Sequence, residues 1–469
     1  MTSSRRVVVA ALLGSAPGFG CVSPRPVEAP RQASIPAYRL PRREPPSSGV
    51  IPAAAVLPAT KPPTSSQPHS LDELTQLALA GHPRLAQGGF TVEAARGRAA
   101  QAGLYPNPTV SVTGDELGDV QGPSGIWTVP YASQEIVTGG KLKLSRAAAD
   151  RETDQAAVQL AAQRYALLAA VRQAYFDALA SQRRVEVLSE VLDLIEKAVE
   201  QTAGVVKAQQ AARLILIQLQ TEAGRVRAER DAAKRELPAA YQRLSAVVGT
   251  PSLSITRVEG TLESPLPEYD AAAAQRFVLA THPEVKAALA GVERARLLLR
   301  RAEAEPIPNV TVGVGYMRQG QNRSNDWTLG ASMPVPVWNR NQGNIRAAKA
   351  QVGEAVKEVE RIQADLADRL AASVRTYEAA RERAEKYRSG VLPFAKEAQE
   401  ISLAAFKGGQ FESLQVLQAQ RAFAEANAEY VRTLGEAWRA AGAISGLLLE
   451  EAWPVVPRPS ATTPEGGQR

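Results

Sequence analysis

The stretch that decides the fold is residues 306–352, PIPNVTVGVGYMRQGQNRSNDWTLGASMPVPVWNRNQGNIRAAKAQV. Two runs inside it alternate apolar and other residues with a period of two, the pattern of a strand whose faces meet different surroundings. One face of the first run carries Val310, Val312, Val314 and Tyr316, and one face of the second carries Trp327, Leu329, Ala331, Met333 and Val335. The polar, Gly-containing segment between the runs predicts a hairpin loop. Helical patterns flank both ends, so the sequence predicts a β-hairpin inserted between helices.

A second hairpin of the same design lies about 200 residues earlier, in residues 105–149, YPNPTVSVTGDELGDVQGPSGIWTVPYASQEIVTGGKLKLSRAAA. One face is predicted to carry Val110 and Val112 on its first run and Trp127, Val129 and Tyr131 on its second. The positions that match between the copies are Pro106-Asn107 with Pro308-Asn309, Trp127 with Trp327, Gly140 with Gly343, and residues 79–83 with 279–283. This period is far longer than that of a solenoid. We therefore expect two repeats, residues 71–250 and 271–450, joined by a linker at 251–270.

Long helices occupy most of each repeat. Heptad-like apolar positions predict coiled-coil helices, with Leu188, Leu192, Ile195 and Val199 in the first repeat and Leu366, Leu370, Val374 and Tyr377 in the second. Helical turns are predicted at 203–210 and at Gly408-Gly409, and Pro393 is predicted to kink its helix. The first long helix would span about 95 Å at 1.5 Å per residue. Stacked shorter helices would form a second rod beside it, with both hairpins at one end.

The N-terminal segment resembles an export signal. Residues 1–20 contain a basic start, an apolar core and a small-x-small motif, and the core is too short to span a bilayer. Cys21 follows directly, as in a bacterial lipoprotein signal, and is the predicted lipid attachment site. The Pro-rich residues 21–70 are expected to be a disordered tether, and residues 451–469 a disordered tail.

Composition and motifs argue against an enzyme active site, a cofactor site or a metal site in this chain. The net charge of +7 is interspersed with acidic residues along helices, which favours a solvated surface over a nucleic-acid footprint. The chain has one Cys and three His, and His82 and His282 each precede a proline, where a helix end is the simpler interpretation than a metal ligand. Phosphate loops, nucleophile elbows and zinc-protease motifs are absent from the sequence. We predict no enzyme, no cofactor and no metal site.

The four predicted strands must bury an apolar face. Four strands cannot close into a barrel, and an exposed apolar hairpin promotes aggregation. A closed barrel in lipid, assembled from several chains, satisfies both the apolar face and the strand edges. Trp127, Trp327 and Trp338 lie near the hairpin ends, as in interfacial aromatic belts. The alternative is an ordinary soluble sheet packed on helices.

These features together resemble the TolC-like outer-membrane efflux family, in particular its cobalt–zinc–cadmium branch. The resemblance covers residues 70–450, and its most specific parts are the Pro-Asn motifs, the run LGASMPVPVWNRNQGNI at 329–345, and FKGGQFESLQVL at 406–417. It implies a mainly α fold with membrane β: long antiparallel coiled-coil helices forming a helical barrel, plus four strands contributed by each chain to a trimeric 12-stranded β-barrel.

The resemblance also implies partners and a location. We expect a homotrimer in outer-membrane lipid with a periplasmic helical portion, docked onto a periplasmic adaptor and an inner-membrane efflux pump, as a passive exit duct for metal cations. The candidate adaptor-contacting residues at the helical tips are Gly204, Gln209, Arg213, Gly408, Gly409 and Phe411. Gln209 departs from the family pattern, which has glycine there. Such a turn adopts another conformation, meets the adaptor differently, or is replaced by continuous helix.

Two other functions remain open from the sequence. A periplasmic adaptor or coiled-coil scaffold lipoprotein without a pore would also have long helical hairpins, although the strand-rich domains of adaptors are missing. A TolC-like channel for drugs rather than metals would share every feature above, because no residue pattern in the chain selects a metal.

Overall fold

The computed structural model describes residues 68–115, 125–207, 213–320, 323–407 and 413–453. The elements of the first repeat are α1 (Leu71–Gly81), α2 (Pro83–Ala102), β1 (Thr109–Asp115), β2 (Ile126–Ile136), α3 (Lys141–Lys207) and α4 (Arg213–Val248). The elements of the second are α5 (Ala271–Thr281), α6 (Pro283–Ala304), β3 (Val310–Gln319), β4 (Asn325–Ser332), α7 (Gln342–Lys386), a π-helical turn (Tyr387–Val391), α8 (Leu392–Lys407) and α9 (Ser413–Leu447). Both halves therefore follow one plan.

The first repeat is organised along α3, which at 67 residues is about 100 Å long. Helices α2 and α4 pack along the same side of α3. They meet end to end where Gly249, with φ +86°, lies against His82; a Cβ at Gly249 would be 2.7 Å from the imidazole Cδ2. The predicted seam is confirmed, because Leu188, Leu192 and Ile195 are buried. Two stacked shorter helices and one long helix thus form the first helical pair.

The second repeat builds the same arrangement from α7 and α8 with α6 and α9. Its seam residues Leu366, Leu370 and Tyr377 are buried. The π-helical turn immediately precedes Pro393, and α8 continues the helix beyond it. A π-turn accommodates the missing N–H of a proline without ending the helix. Phe394 and Ile401 of α8 are 70% and 53% exposed in the single chain.

A buried aromatic cluster lies in the middle of the helical body. Phe176 of α3 stacks on Trp438 of α9 with ring centroids 4.6 Å apart, and Trp453 packs edge-on against both. The linker crosses this region: the Trp438 Nε1 donates to the Leu262 carbonyl oxygen at 2.8 Å. Residues 68–70 and 451–453, which are described but lie outside the helices, also pack at the middle of the helical body.

Two segments that the sequence predicts to be disordered contain ordered residues at the ends nearest the helical body. His69, placed by the sequence in the tether, is 2% exposed and forms a parallel bridge with Val258 of the linker. Trp453, placed in the tail, is 5% exposed. His69 is held by backbone hydrogen bonds with Arg257 and Glu259 of the linker, and Trp453 by ring contacts with Phe176 and Trp438, none of which composition reveals. Residues 1–67 and 454–469 lie outside the described part of the chain.

The strands form one antiparallel sheet in the order β1-β2-β3-β4. It lies at the ends of the helices, and its strands make extensive contacts only with one another among the described residues. None of the described helices is long and apolar enough to cross a membrane.

Candidate functional site

The sheet has one apolar face and one polar face, assigned from the strand register. Cross-strand partners share a face, so Val110, Ala132, Val314 and Leu329 lie in one row across the four strands. The apolar face, defined by this row, carries Val110, Val112, Trp127, Val129, Ala132, Ile136, Val310, Val312, Val314, Tyr316, Trp327, Leu329 and Ala331, and toward its margins also Gly114, Gln134, Arg318 and Asn325. The predicted strand residues therefore share one face, with one exception described below.

The apolar face is uncovered in the single chain. Leu329 is 85% exposed, Trp327 76% and Val110 68%. Large apolar side chains rarely form such a continuous exposed surface on a water-soluble monomer. The Tyr316 and Trp327 rings meet edge to face at 5.7 Å, the only aromatic pair between described strands. This face requires an apolar environment other than the chain's own helices.

Tyr131 is the exception, because it points to the opposite face. The register shifts by one residue between Thr128 and Tyr131 in the pairing of β2 with β3, and β1 shows the same shift against β2. An extra residue in a strand reverses the faces beyond it. The sequence prediction that Tyr131 shares the face of Trp127 and Val129 is therefore wrong. The strict alternation from 127 to 131 concealed the bulge.

Polar and small residues occupy the second face. Its members are Thr109, Ser111, Thr113, Asp115, Ile126, Thr128, Tyr131, Ser133, Glu135, Thr311, Gly313, Gly315, Met317, Gln319, Asp326, Thr328, Gly330 and Ser332. Three carboxylates belong to this polar face, while the described strands place no Lys or Arg on it. A largely apolar face opposite a largely polar face is the pattern of a membrane barrel whose interior is aqueous.

Asn309 joins the sheet to the helices. Its Oδ1 accepts from the Lys141 ammonium at 2.8 Å and from the Thr138 N–H at 3.2 Å, and its Nδ2 donates to Glu135 Oε1 at 2.6 Å. The Thr138 hydroxyl also donates to the Pro308 carbonyl oxygen at 2.6 Å. Lys141, the first residue of α3, is 2% exposed. The Pro-Asn motif that the sequence singled out as a repeat marker thus fixes β3 to the start of α3.

The opposite end of the helices carries the predicted adaptor-contacting tips. The described parts of α3 and α8 extend to Lys207 and Lys407, and the next described helices begin at Arg213 and Ser413. Gly204 is helical, within α3, which corrects the predicted turn at 203–210. Arg213 is exposed at the start of α4. The remaining tip predictions, Gln209, Gly408, Gly409 and Phe411, lie outside the described residues.

A charged contact near the tips joins the two helical pairs. Glu222 of α4 is 3% exposed and accepts hydrogen bonds from Arg225 and, across the pairs, from Arg421 of α9 at 3.0 Å. Burial by itself raises the pKa of the Glu222 carboxyl, but the bonds from the two arginines outweigh burial and lower this pKa. The sequence gives no sign of this pair, because one Glu among many on a helix does not indicate its partner.

The histidines are structural, as predicted. His82 and His282 precede α2 and α6, and each Nδ1 accepts from the backbone N–H two residues later. Burial lowers the pKa of His282, which favours the neutral ring, and a neutral ring can accept the Glu284 N–H through Nδ1. Over the described ranges, three or more His, Cys, Asp and Glu side chains nowhere form a group that could hold a metal ion.

Comparison with protein families decides the identity of this architecture. A family model described as "Outer membrane efflux protein" matches residues 74–250 and 276–448, one segment in each repeat. The chain belongs to the outer membrane efflux protein family. Members of this family are transport ducts of the outer membrane, so the chain is not an enzyme.

Individual relatives agree with this assignment. The cobalt-zinc-cadmium resistance protein CzcC of Cupriavidus metallidurans is 26% identical over 388 residues, which cover 82% of this chain and 91% of that protein. The nickel-cobalt-cadmium resistance protein NccC of Alcaligenes xylosoxydans xylosoxydans is 26% identical over 338 residues, 70% of this chain and 75% of that protein. The outer membrane protein VceC from Vibrio cholerae has the same fold, with a TM-score of 0.69 at 21% identity, over 81% of this chain and 95% of that one.

Proposed function

We propose that this outer membrane efflux protein acts as a homotrimeric exit duct, in which each chain contributes four strands to one 12-stranded barrel. The observation that carries the proposal is the two-faced sheet, whose apolar face is uncovered and whose β1 and β4 have no strand on their outer sides within the described part of the chain. Lipid would cover the apolar face, and neighbouring chains would pair the edges, as a spanning barrel requires. The polar face would then line an aqueous channel continuous with the tunnel between the helices.

The helices are proposed to extend into the periplasm and to meet a periplasmic adaptor there. In α3 the helical wall is about 100 Å long, which carries the tips far from a sheet embedded in the outer membrane. Residues of the two tips, including Arg213, are the proposed contacts with that adaptor. An inner-membrane pump would supply the energy, since the chain itself only provides a path.

Metal cations are the proposed cargo. The relatives CzcC and NccC are named for resistance to cobalt, zinc, nickel and cadmium. The polar face supports a cationic solute, because its charged residues are Asp115, Glu135 and Asp326. A ring of carboxylates favours cation passage through a pore without a tight site. Drugs are the alternative cargo, and the export measurement below separates the two.

The N-terminal segment supports a proposal about anchoring. Residues 1–20 are proposed to be an export signal, and Cys21 to carry a lipid that anchors the chain to the outer membrane. Labelled palmitate should be incorporated into the natural chain and lost in Cys21→Ser. Incorporation that is unchanged by Cys21→Ser would contradict the anchor and leave the duct proposal unaffected.

The function is tested by combining conductance with export. The purified trimer in a planar bilayer should form discrete channels that pass Zn²⁺ and Co²⁺. In cells that contain the cognate pump and adaptor, deleting this chain should raise cellular zinc, cobalt or cadmium, measured by mass spectrometry, and restoring it should reverse the rise. Unchanged metal content together with an increased content of a drug would assign the duct to drug export. Absence of channels from a folded trimer would contradict the duct itself.

A further inference from the structure

Four basic side chains lie in the first two turns of the two long helices, next to the sheet. They are Lys143 and Arg146 of α3, and Arg346 and Lys349 of α7. Counted from the matching glycines Gly140 and Gly343, both pairs stand at the third and sixth positions. The duplication therefore places the same charges at the same depth in both repeats. These four residues form the basic collar of the chain.

The basic collar lies on the side of the helices that corresponds to the apolar face of the sheet. The Lys141 ammonium points to the polar side, because it donates to Asn309 Oδ1 at 2.8 Å and Asn309 donates to Glu135 of the polar face. Two residues along a helix turn the side chain by about 200°, so Lys143 points to the opposite side. Arg146 lies within about 60° of Lys143. The repeat places their counterparts on the same side of α7.

The four charges of the collar have no carboxylate partner within the described part of the chain. Each side chain is exposed, and none lies within 4.0 Å of a carboxylate oxygen among the described residues. Farther along α7, by contrast, Arg361 pairs with Glu358 at 2.6 Å. Helix α6, which packs against both α3 and α7, adds one exposed cation and one exposed carboxylate near its end, Arg300 and Glu303. The positive excess of the collar therefore remains.

Exposed apolar and aromatic side chains lie between the collar and the sheet. The segment between β4 and α7 exposes Val335 by 71% and Trp338 by 88%, and the segment between α2 and β1 exposes Leu104 and Tyr105. Trp and Tyr are typical of the boundary between lipid and water, and Lys and Arg near a membrane surface attract anionic lipids. From the sheet toward the helices, the chain thus presents an apolar face, then aromatic residues, then unpaired cations.

We infer that the basic collar binds the anionic headgroups of phospholipids in the leaflet on the helical side of the sheet, an inference that rests on the proposed membrane barrel. The lipid-facing side of the sheet continues into the collar, so a headgroup phosphate at the edge of the bilayer would meet its ammonium and guanidinium groups. Phosphate oxygens accept hydrogen bonds from both groups, and Arg binds them in bidentate geometry. Contacts of this kind would hold the sheet at a fixed depth in the bilayer.

Lipid retention by the purified full-length trimer tests this inference. Native mass spectrometry in detergent, with equal concentrations of phosphatidylglycerol and phosphatidylcholine, should show about a tenfold preference for phosphatidylglycerol. Neutralising the collar in K143Q/R146Q/R346Q/K349Q should remove the preference. Inorganic phosphate at the concentration of the lipid should not displace phosphatidylglycerol, because a free anion lacks the acyl chains that hold the headgroup at the collar.

The matched control is R361Q/K386Q/R388Q/K396Q, which also removes two Lys and two Arg charges. Each of these side chains is exposed and pairs with a carboxylate within 4.0 Å. The nearest of them, Arg361, lies about 18 Å along α7 from Lys349, beyond the Debye length of about 10 Å at 0.1 M salt. The control should therefore keep the preference. The charge-conserving variant K143R/R146K/R346K/K349R should keep it as well.

Three results would overturn the inference: a preference unchanged by neutralising the collar, a natural trimer without any preference, or displacement of the lipid by inorganic phosphate. Should the neutralised variant fail to assemble, the natural trimer decides by salt: its preference should fall severalfold between about 0.1 and 1 M salt, and a constant preference would overturn the inference. A trimer that conducts ions without the preference overturns the collar alone. A chain that forms neither trimer nor channel overturns the duct as well.

Discussion

Tyr131 covers Gly313 on the polar face of the sheet. A Cβ built on Gly313 would clash with the tyrosine hydroxyl oxygen, and one on Gly315 would lie 2.8 Å from the ring Cδ2. The two glycines leave the space that the ring occupies, and the bulge in β2 turns the ring toward it. The tyrosine is therefore packed flat on the sheet at the surface proposed to line the channel.

Gly313→Ala is expected to displace this ring and to lower the temperature at which the oligomer dissociates, measured by heating samples before a denaturing gel. Overpacking of this kind costs about 1–3 kcal/mol. Gly343→Ala, where the space around the added Cβ is open, should leave the temperature unchanged. The double variant Gly313→Ala with Tyr131→Ala should recover part of the loss. Equal stability of Gly313→Ala and the natural chain would contradict this contact.

Val312→Asp and Thr311→Asp compare the two faces at adjacent residues. A carboxylate on the lipid side of a barrel costs on the order of 1 kcal/mol or more per chain, whereas the lumen side hydrates it. Val312→Asp should therefore reduce the amount of oligomer recovered from outer membranes, while Thr311→Asp should not. Val374→Asp, in the helical seam, should disturb helix stability more than membrane insertion. Equal losses for Val312→Asp and Thr311→Asp would argue against a lipid-facing strand.

Protonation of Glu222 is expected to lower the free energy of unfolding at acidic pH. Its pKa in the folded chain is lowered by Arg225 and Arg421, so its contribution is complete above the unfolded value of about 4.3 and is lost as the pH falls through the lower folded pKa. Glu222→Gln should lower the free energy of unfolding at pH 7 by about 1–3 kcal/mol. The difference from the natural chain should shrink under acid conditions.

Glu358→Gln is the matched control for that carboxylate. Glu358 also pairs with an arginine, Arg361, at Oε1–Nη2 2.6 Å, but both side chains are exposed. Exposed pairs contribute little to stability. Thermal unfolding in detergent at pH 7 should therefore distinguish the two variants, and a loss of equal size in both would assign the effect to general charge rather than to the contact between helical pairs.

Arg172 is expected to hold the last described residues onto the core. The guanidinium is 1% exposed and donates to Ser445 Oγ at 2.9 Å and to the Glu450 and Glu451 carbonyl oxygens at 2.7 and 2.9 Å. Arg172→Ala should destabilise by roughly 2 kcal/mol or more, since it removes one buried and two part-buried hydrogen bonds from a charged group. Arg164→Ala, whose side chain is 46% exposed, should cost below about 1 kcal/mol by thermal unfolding.

The tip proposal predicts a separation of conductance from export. Arg213→Glu or Phe411→Ala should leave the channel conductance of the purified trimer unchanged and should raise cellular metal in the presence of the pump and adaptor. A matched change in the middle of the helical wall, Arg184→Glu, should affect neither measurement. Export that is normal in both tip variants would move the adaptor contact elsewhere on the helices.

The sequence predicts the helical body and the hairpins because both depend on local patterns. Heptad spacing of apolar residues correctly predicts that Leu192 and Leu366 are buried. Alternation of apolar residues, together with the repeated Pro-Asn and Trp motifs, locates the four strands. These signals are properties of neighbouring residues. They are easy to recognise because each of them occurs in both repeats.

The failures share a different cause, since each depends on contacts distant in sequence. The face of Tyr131 follows from a bulge that strict alternation hides. His69 and Trp453 lie in segments whose composition indicates disorder, yet each docks on a core formed by the linker, α3 and α9. The pairing of Glu222 with Arg421 spans 199 residues, and an alternating charge pattern on helices does not identify such partners.

The uncovered sheet has a consequence for biogenesis. Before a newly exported chain meets other copies, its unpaired strand edges and apolar face would bind other exposed strands in the cell envelope. We therefore expect a newly exported chain to need protection by a chaperone until it assembles, and a surplus of unassembled copies to aggregate in the envelope.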